Sequence, residues 1–357
     1  MKDKNLREDI AKIIHDGVTA PSGENSQPWR FLVDGNVIFV LNVVAKDTTL
    51  YNSGQHASYV SHGTCIENMV ESAGHSGYGA EVLYFPSGGS NPVAKITLTP
   101  AEIPEDPLYA QLLKRRTNRN AYRPEKIPEA DKRALQEEAE KTGNHSLIIL
   151  DQPEQMDGLA HASAAVEQLM FQSRSFHRFF FEHFFTNRRD EHRGTGLYID
   201  TLGLSSFEKL GIKLMRSWSI TTFFRMTGIA HMVYLKRMRK YRKSGAFGIV
   251  VTDGDQAIDY VKAGRAAERV WLRATERGIS LQPCGGVLYL FEGMMKTTKN
   301  VFSEEEQAII ESARNQIYEI FEIRGKTAAL FFRIGYGELP AARSFRLAPE
   351  IDYISPE

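Results

Sequence analysis

The sequence predicts an α+β fold made of two α/β sandwich halves in tandem, a pseudo-dimer within one chain, with a helical lid inserted in the second half. Three observations carry this expectation. The chain has 357 residues, more than a typical single domain. Gly63, Glu67, Ala73 and Gly77 recur 201 positions later as Gly264, Glu268, Ala274 and Gly278, each set in a helix-like run closed by glycine. Similar stretches flank both runs: a hairpin with a Gly-bearing turn upstream (Asp34-Gly35, Asp253-Gly254) and a strand downstream, at 96–98 and 330–334. The expected halves are residues 1–104 and 105–357, with the insertion over about 195–244.

Composition narrows the function. Apolar residues make up 42% and charged residues 25%, so a packed core is expected rather than disorder. Lys plus Arg equals Asp plus Glu, 44 of each, and no overall field favours nucleic acid. Cys65 and Cys284 are too few for a disulfide framework, which fits a reducing cytoplasm. The opening Met1-Lys2-Asp3-Lys4-Asn5 leads into an amphipathic helix, so no signal peptide is expected. No apolar run approaches the roughly 18 residues that span a membrane, and no stable insertion is expected.

Taken in order, Leu6, Ile10, Ile13 and Ile14 give a helix over 6–18. Then comes Thr19-Ala20-Pro21-Ser22-Gly23-Glu24-Asn25-Ser26-Gln27-Pro28-Trp29, a sharply turned polar loop. Asn25 and Gln27 offer both donors and acceptors and could hold the polar edge of a flat heteroaromatic ring. A hairpin follows over 31–41, a buried helix over 61–76, and strands over 80–85 and 94–98. After a Pro-rich acidic linker at 100–107 comes Arg115-Arg116-Thr117-Asn118-Arg119, whose arginines and hydroxyl suit a phosphate. An exposed helix is expected at 129–141, a strand at 146–150 and a helix over 156–185.

The aromatic cluster Phe176, Phe179, Phe180, Phe181, Phe184 and Phe185 reads as a packing surface. His161, His177, His183 and His192 share no metal-ligand spacing, and no metal is expected. Residues 195–243 have no counterpart in the first half; they are apolar and helical, especially over 221–238, and end in a basic run at 236–243 that reads as a solvated lid helix. A strand at 247–251 and a helix at 264–277 precede Pro283-Cys284-Gly285-Gly286, whose glycines let backbone approach a ligand.

The loop motif Ala20-Pro21-Ser22, Asn25 and Gln27-Pro28-Trp29-Arg30-Phe31 resembles the N-terminal signature of the FMN-dependent nitroreductase family. Arg115-Arg116-Thr117-x-Arg119 is similar to that family's Arg-Arg-Ser opening, with Thr for Ser and the aromatic Tyr122 one residue late. Pro283 to Gly286 resembles its Pro-x-x-Gly turn, with Gly285 where glutamate is frequent; Arg343 and Arg346 resemble its closing basic pair. The division of motifs between the halves resembles the Acg-type branch, in which two halves are fused.

The resemblance implies one FMN site per chain. Pro21, Ser22, Asn25 and Gln27 would come from the first half, and Arg115, Arg116, Thr117, Arg119, Pro283, Cys284, Gly285 and Gly286 from the second. Arg115, Arg116, Arg343 and Arg346 would hold the phosphate, Arg119 would face the N1/O2 edge, and the Gly286 N–H would face N5. It also implies NAD(P)H as reductant and a nitroaromatic or quinone-like acceptor in ping-pong order, with no protein acid evident. The fused halves allow a monomer, and a homodimer is not excluded. Two alternatives stay open: an FMN-sequestering protein whose lid prevents turnover, and a membrane-surface adaptor using the 236–243 run.

Overall fold

The computed structural model describes residues 2–104, 106–143, 145–187, 190, 194–296 and 302–354. Helix α1 (Lys2–Gly17) buries Ile10, Ile13 and Ile14, the helical stripe seen in the sequence, and delivers the chain to the polar loop. Strands β1 (Trp29–Asp34) and β2 (Val37–Asn42) close a two-residue turn in which Gly35 takes φ +56. Helix α2 (His56–His75) starts five residues before the predicted 61 and is buried along nearly its whole length. Gly77, at φ +80, stops it and opens β3 (Tyr78–Tyr84), which pairs with β4 (Ala94–Pro100).

In the second half, α3 (Glu129–Glu140) is less exposed than predicted, since Leu135 and Ala139 are buried. After β5 (His145–Leu150), the expected helix at 156–185 divides into α4 (Pro153–Gln172) and α5 (Arg174–Glu182). Ser173 makes the break: its hydroxyl accepts the Phe176 N–H and caps α5. Strand β6 (Phe184–Phe185), ahead of the insertion, pairs with β7 (Leu197–Tyr198) inside it, and the insertion continues through α6 (Ser206–Met215), α7 (Trp218–Met226) and α8 (Ile229–Arg242). Gly228, at φ +78, interrupts the continuous helix predicted over 221–238.

Strand β8 (Ala246–Thr252) runs directly into α9 (Ala257–Glu276), so Asp253-Gly254 is not the hairpin turn the repeat predicted. The Gln256–Asp259 capping box starts α9 there, seven residues before Gly264. The chain ends with β9 (Ser280–Pro283), α10 (Gly286–Lys296), α11 (Glu304–Ile320), β10 (Thr327–Gly335) and β11 (Ile351–Tyr353). Helices α10 and α11 lie where the sequence reading assigned nothing.

The architecture is α+β, with two larger sheets ordered β11-β1-β2-β4-β3 and β5-β8-β10-β9 beside the two-stranded β6-β7 pair. Helix α2 packs on the first sheet, α9 on the second, and the two helices on each other. The repeated residues meet at this crossing. A Cβ on Gly63 would lie 2.0 Å from the Val261 carbonyl oxygen, and one on Gly264 2.1 Å from that of Val60. Ala73 and Ala274 are fully buried, and Gly77 and Gly278 both take positive φ. Glu67 takes Arg265 (2.6 Å) and Arg269 (2.9 Å) from α9, whereas Glu268 takes Arg115 (2.9 Å), so the symmetry breaks at the charges. Strand β11 pairs parallel with β1, so the last described residues complete the first half's sheet.

Candidate functional site

The loop after α1 is held in an unusual backbone. Glu24, Asn25 and Gln27 all have positive φ, at 45, 57 and 50 degrees. A non-glycine pays for such a conformation and keeps it only where its surroundings enforce it. Here the enforcement is visible. Gln27 donates to the Gly194 carbonyl (2.5 Å) and accepts the Leu347 N–H (2.8 Å). Asn25 donates to the carbonyls of Gly194 and Phe345, both at 2.9 Å, and accepts from Arg346 at 2.5 Å. The Ser22 hydroxyl accepts the Gln27 N–H at 3.0 Å. The amides of Asn25 and Gln27, expected to present a polar edge, are thus engaged with the chain itself.

Four arginines gather beside the loop. Arg115 pairs with the buried Glu268, lies over the Trp271 ring at 4.6 Å, and donates to the Thr19 carbonyl at 2.9 Å. Arg346 also donates to Thr19, at 3.2 Å. Arg343 donates to the Arg115 carbonyl at 3.4 Å, and Arg116 to that of Pro340 at 3.3 Å. The buried Nε atoms of Arg116 and Arg346 have no hydrogen-bond partner among the described residues. Burial pushes the Arg346 guanidinium down, and the nearby charges of Arg115 and Arg343 push it further. Burial pushes the Arg343 group down too, with Arg116 and Arg115 adding to it. Four cations facing one carboxylate make a site short of negative charge, and guanidinium forks match phosphate oxygens. A dianionic phosphate fits this cradle.

The segment running on from Arg115 follows the edge of the second sheet. Thr117 bridges to Leu281, and the Asn118 N–H donates to the Leu281 carbonyl at 3.0 Å. This sets 115–119 alongside the strand that ends at Pro283, itself paired with Phe332. The Cys284 N–H donates to the Phe331 carbonyl at 2.8 Å, and burial pushes its thiol up to about 12, so it is no nucleophile. Gly285 lies close to the Phe331 backbone, and Gly286 packs against Tyr51, whose ring would sit 2.9 Å from a Cβ there. The predicted residues therefore form two groups. One is the loop with the arginine cradle; the other is the 283–286 turn, reached from the first half through Tyr51.

A cavity of about 230 Å³ adjoins the loop, lined in part by Glu24, Ser26, Lys46, His183, Phe185 and Gly196. Burial pushes the Glu24 carboxyl up, against the pull of Arg119 and His183. Arg119 donates to the Thr201 carbonyl at 3.3 Å, and burial pushes its guanidinium down. The sequence reading missed several participants. Tyr51 stands between Gly286 and the field of Glu24. Arg333, 0% exposed, lies over the Tyr122 ring at 3.8 Å and donates to Gln282 at 2.8 Å. Neither residue belongs to a spaced motif, and only the fold brings them here.

The insertion divides in two. Residues 194–203 form a strap between the two motif segments. The Gly194 carbonyl accepts from Asn25 and Gln27, and the Gly196 N–H donates to the Glu24 carbonyl at 3.0 Å. At the other end, Gly203 lies so close to Arg119 that a Cβ would stand 2.7 Å from its carbonyl oxygen. Helices α6 to α8 instead pack beside α4 and α5. His177 bonds the Met215 carbonyl (2.7 Å), His161 bonds the Tyr234 hydroxyl (2.5 Å), and Arg237 pairs with Glu167 (3.0 Å). Leu214, Phe223 and Met226, which a lid closed over the site would bury, face solvent. His192 lies outside the described residues; among the described residues no cluster of three or more His, Cys, Asp or Glu could hold a metal. No helix there is long and apolar enough to cross a membrane.

No protein-family model matches the chain. The chain is similar to an uncharacterized protein of Mycobacterium tuberculosis (strain CDC 1551 / Oshkosh), with 23% identity over 282 residues. That match takes in 77% of this chain but only 38% of the relative's length. Among solved structures the chain is similar to a nitroreductase with bound FMN from Bacteroides fragilis NCTC 9343: 12% identity, 68% of this chain, 95% of the other, TM-score 0.37. It is also similar to the FMN-dependent nitroreductase NfnB from Mycobacterium smegmatis in complex with NADPH: 15% identity, 64% and 86% coverage, TM-score 0.35. A third is oxidized iodotyrosine deiodinase bound to FMN and 3-iodo-L-tyrosine: 12% identity, 67% and 95% coverage, TM-score 0.37.

Proposed function

We propose that the chain is a flavin oxidoreductase with one FMN site, built jointly by its two halves, 1–104 and 105–357. The observation that carries this reading is the arginine cradle, where Arg115, Arg116, Arg343 and Arg346 surround the buried Glu268 carboxylate and the Nε atoms of Arg116 and Arg346 lack hydrogen-bond partners among the described residues. Arg115, Arg116, Arg343 and Arg346 would hold the FMN phosphate, with Thr117 beside them. Pro21, Ser22, Asn25 and Gln27 would shape the wall of the ring site, and Arg119 would face the ring's polar edge, where a guanidinium stabilises negative charge. Pro283, Cys284, Gly285 and Gly286 would bring backbone to N5.

Bound FMN supplies the electron-transfer chemistry, here between NAD(P)H and a nitroaromatic or quinone-like acceptor. The chain's own groups bind, orient and exclude water. Glu24 is the candidate proton carrier: it lines the cavity, and burial favours its protonated carboxyl. A second reading, FMN retention without turnover, is favoured by the strap at 194–203, which joins the Glu24 segment to the Arg119 segment. An absorbance spectrum of the purified protein before and after anaerobic NADPH separates the two. Flavin absorbance that bleaches supports the oxidoreductase, and flavin absorbance that persists supports retention. Protein that takes up no FMN refutes both.

A further inference from the structure

Between residues 206 and 243 the chain carries ten Lys or Arg and one carboxylate, Glu208, although the whole chain is balanced at 44 of each sign. The same segment exposes large apolar side chains in an ordered pattern. Phe207, Leu210 and Leu214 fall at i, i+3 and i+7 on the outward side of α6, while Ile212 and Met215 fill its inward side. Phe223 and Met226 stand out from α7, and Met232 from α8. Phe207 is 84% exposed and Met226 80%. Helix α6 packs on α7 and α7 on α8, so these exposed side chains are carried by adjoining helices. The exposed Lys213, Arg216, Arg225, Arg239 and Lys243 make no ion pair among the described residues.

We infer that these exposed side chains dock on the surface of an anionic lipid bilayer, with α6 and α7 lying in the interface. Exposed bulky apolar groups interleaved with unpaired cations are what an interfacial helix presents to acyl chains and acidic headgroups. A second copy of this chain would bring the same excess of positive charge against itself, and like charges across an interface repel. A nucleic acid would satisfy the cations and leave Leu210, Leu214, Met226 and Met232 in water. An acidic surface with an apolar interior, as an anionic bilayer has, answers both features. Helix α8 connects this face to the site, since Tyr241 donates to Glu167 and Arg333 lies 5.3 Å from its ring.

The test is sedimentation of the full chain with phosphatidylcholine vesicles, with and without phosphatidylserine. The serine-containing vesicles should bind at least about tenfold more tightly, and added salt should weaken that binding. A Phe207→Ser/Met226→Ser variant, altered only at exposed side chains, should lose most of it; Lys213→Glu/Arg225→Glu should lose the preference for phosphatidylserine. Equal binding to both vesicles, no binding to either, or unchanged binding by the serine variant would overturn the inference. So would capture on heparin without vesicle binding.

Discussion

Arg116 donates to the Pro340 carbonyl, and its buried Nε has no hydrogen-bond partner among the described residues. Replacing it by Ala should weaken FMN binding by roughly 2 kcal/mol, the usual worth of a desolvated charged hydrogen bond. A fluorescence titration should show this as about a thirtyfold rise in Kd. His62 allows a second residue-level prediction. It is fully buried in α2, bonded to Asn42 at 3.0 Å, and burial pushes its imidazole from 6.5 down to about 3. Between those two values the unfolded chain holds a proton that the folded chain lacks. Stability from this group is therefore present above about 6.5 and drains as the pH falls, at roughly 1.4 kcal/mol per pH unit. Urea unfolding between pH 6 and 4 should be steeper in pH for the native chain than for His62→Gln, by about that slope. Equal slopes would mean that the imidazole is not held neutral.

At the scale of elements, the crossing of α2 and α9 depends on two glycines. Gly63→Ala would drive a methyl into the Val261 carbonyl, and neither backbone can yield without parting the helices. A loss of about 3 kcal/mol or more is expected, at the upper end for overpacking. Gly211 in α6 has open space around its Cβ, so Gly211→Ala should instead gain roughly 0.5–1 kcal/mol. Thermal denaturation of the two variants gives the contrast directly. The repeat Gly63/Gly264 was legible in the sequence because close helix packing leaves a mark that spacing preserves. The arginines were legible because phosphate chemistry restricts residue type. The false hairpin at Asp253-Gly254 shows the limit: a turn dipeptide suits a capped helix start as well. Likewise the apolar residues of α6 and α7 signalled burial in the sequence, but nothing local says whether a helix buries its apolar face within its own fold. Tyr51 gave no sequence signal, and Arg333 showed only as part of the strand at 330–334, since their roles come from contacts between distant elements.

At the scale of the whole molecule, the C-terminal stretch behaves as part of the first half. It supplies Arg346, fixes Asn25 and Gln27 through Phe345 and Leu347, and sets Glu350 2.8 Å from Lys46 at the cavity. Strand β11 then covers the edge of β1. Removing residues 345–354 should abolish FMN binding while leaving the second sheet's own pairing intact. It should also lower solubility, because an uncovered strand edge recruits other chains. Equilibrium dialysis with FMN and sedimentation velocity measure the two effects, and a truncated protein that still binds FMN would assign the loop's shape to other contacts.

This arrangement also bears on how the protein is made. Residues 21–31 leave the ribosome early, and the partners that hold them, 345–353, follow more than three hundred residues later. At translation rates of about 5–20 residues per second, the wait lasts on the order of tens of seconds. Throughout it β1 is an open edge and the positive-φ loop lacks the part of its clamp that Phe345, Arg346 and Leu347 supply. The nascent first half therefore has a long interval in which it can pair with a neighbouring polysome's product, and slower translation or a missing chaperone should lower the yield of FMN-competent protein before it lowers the amount of chain synthesised.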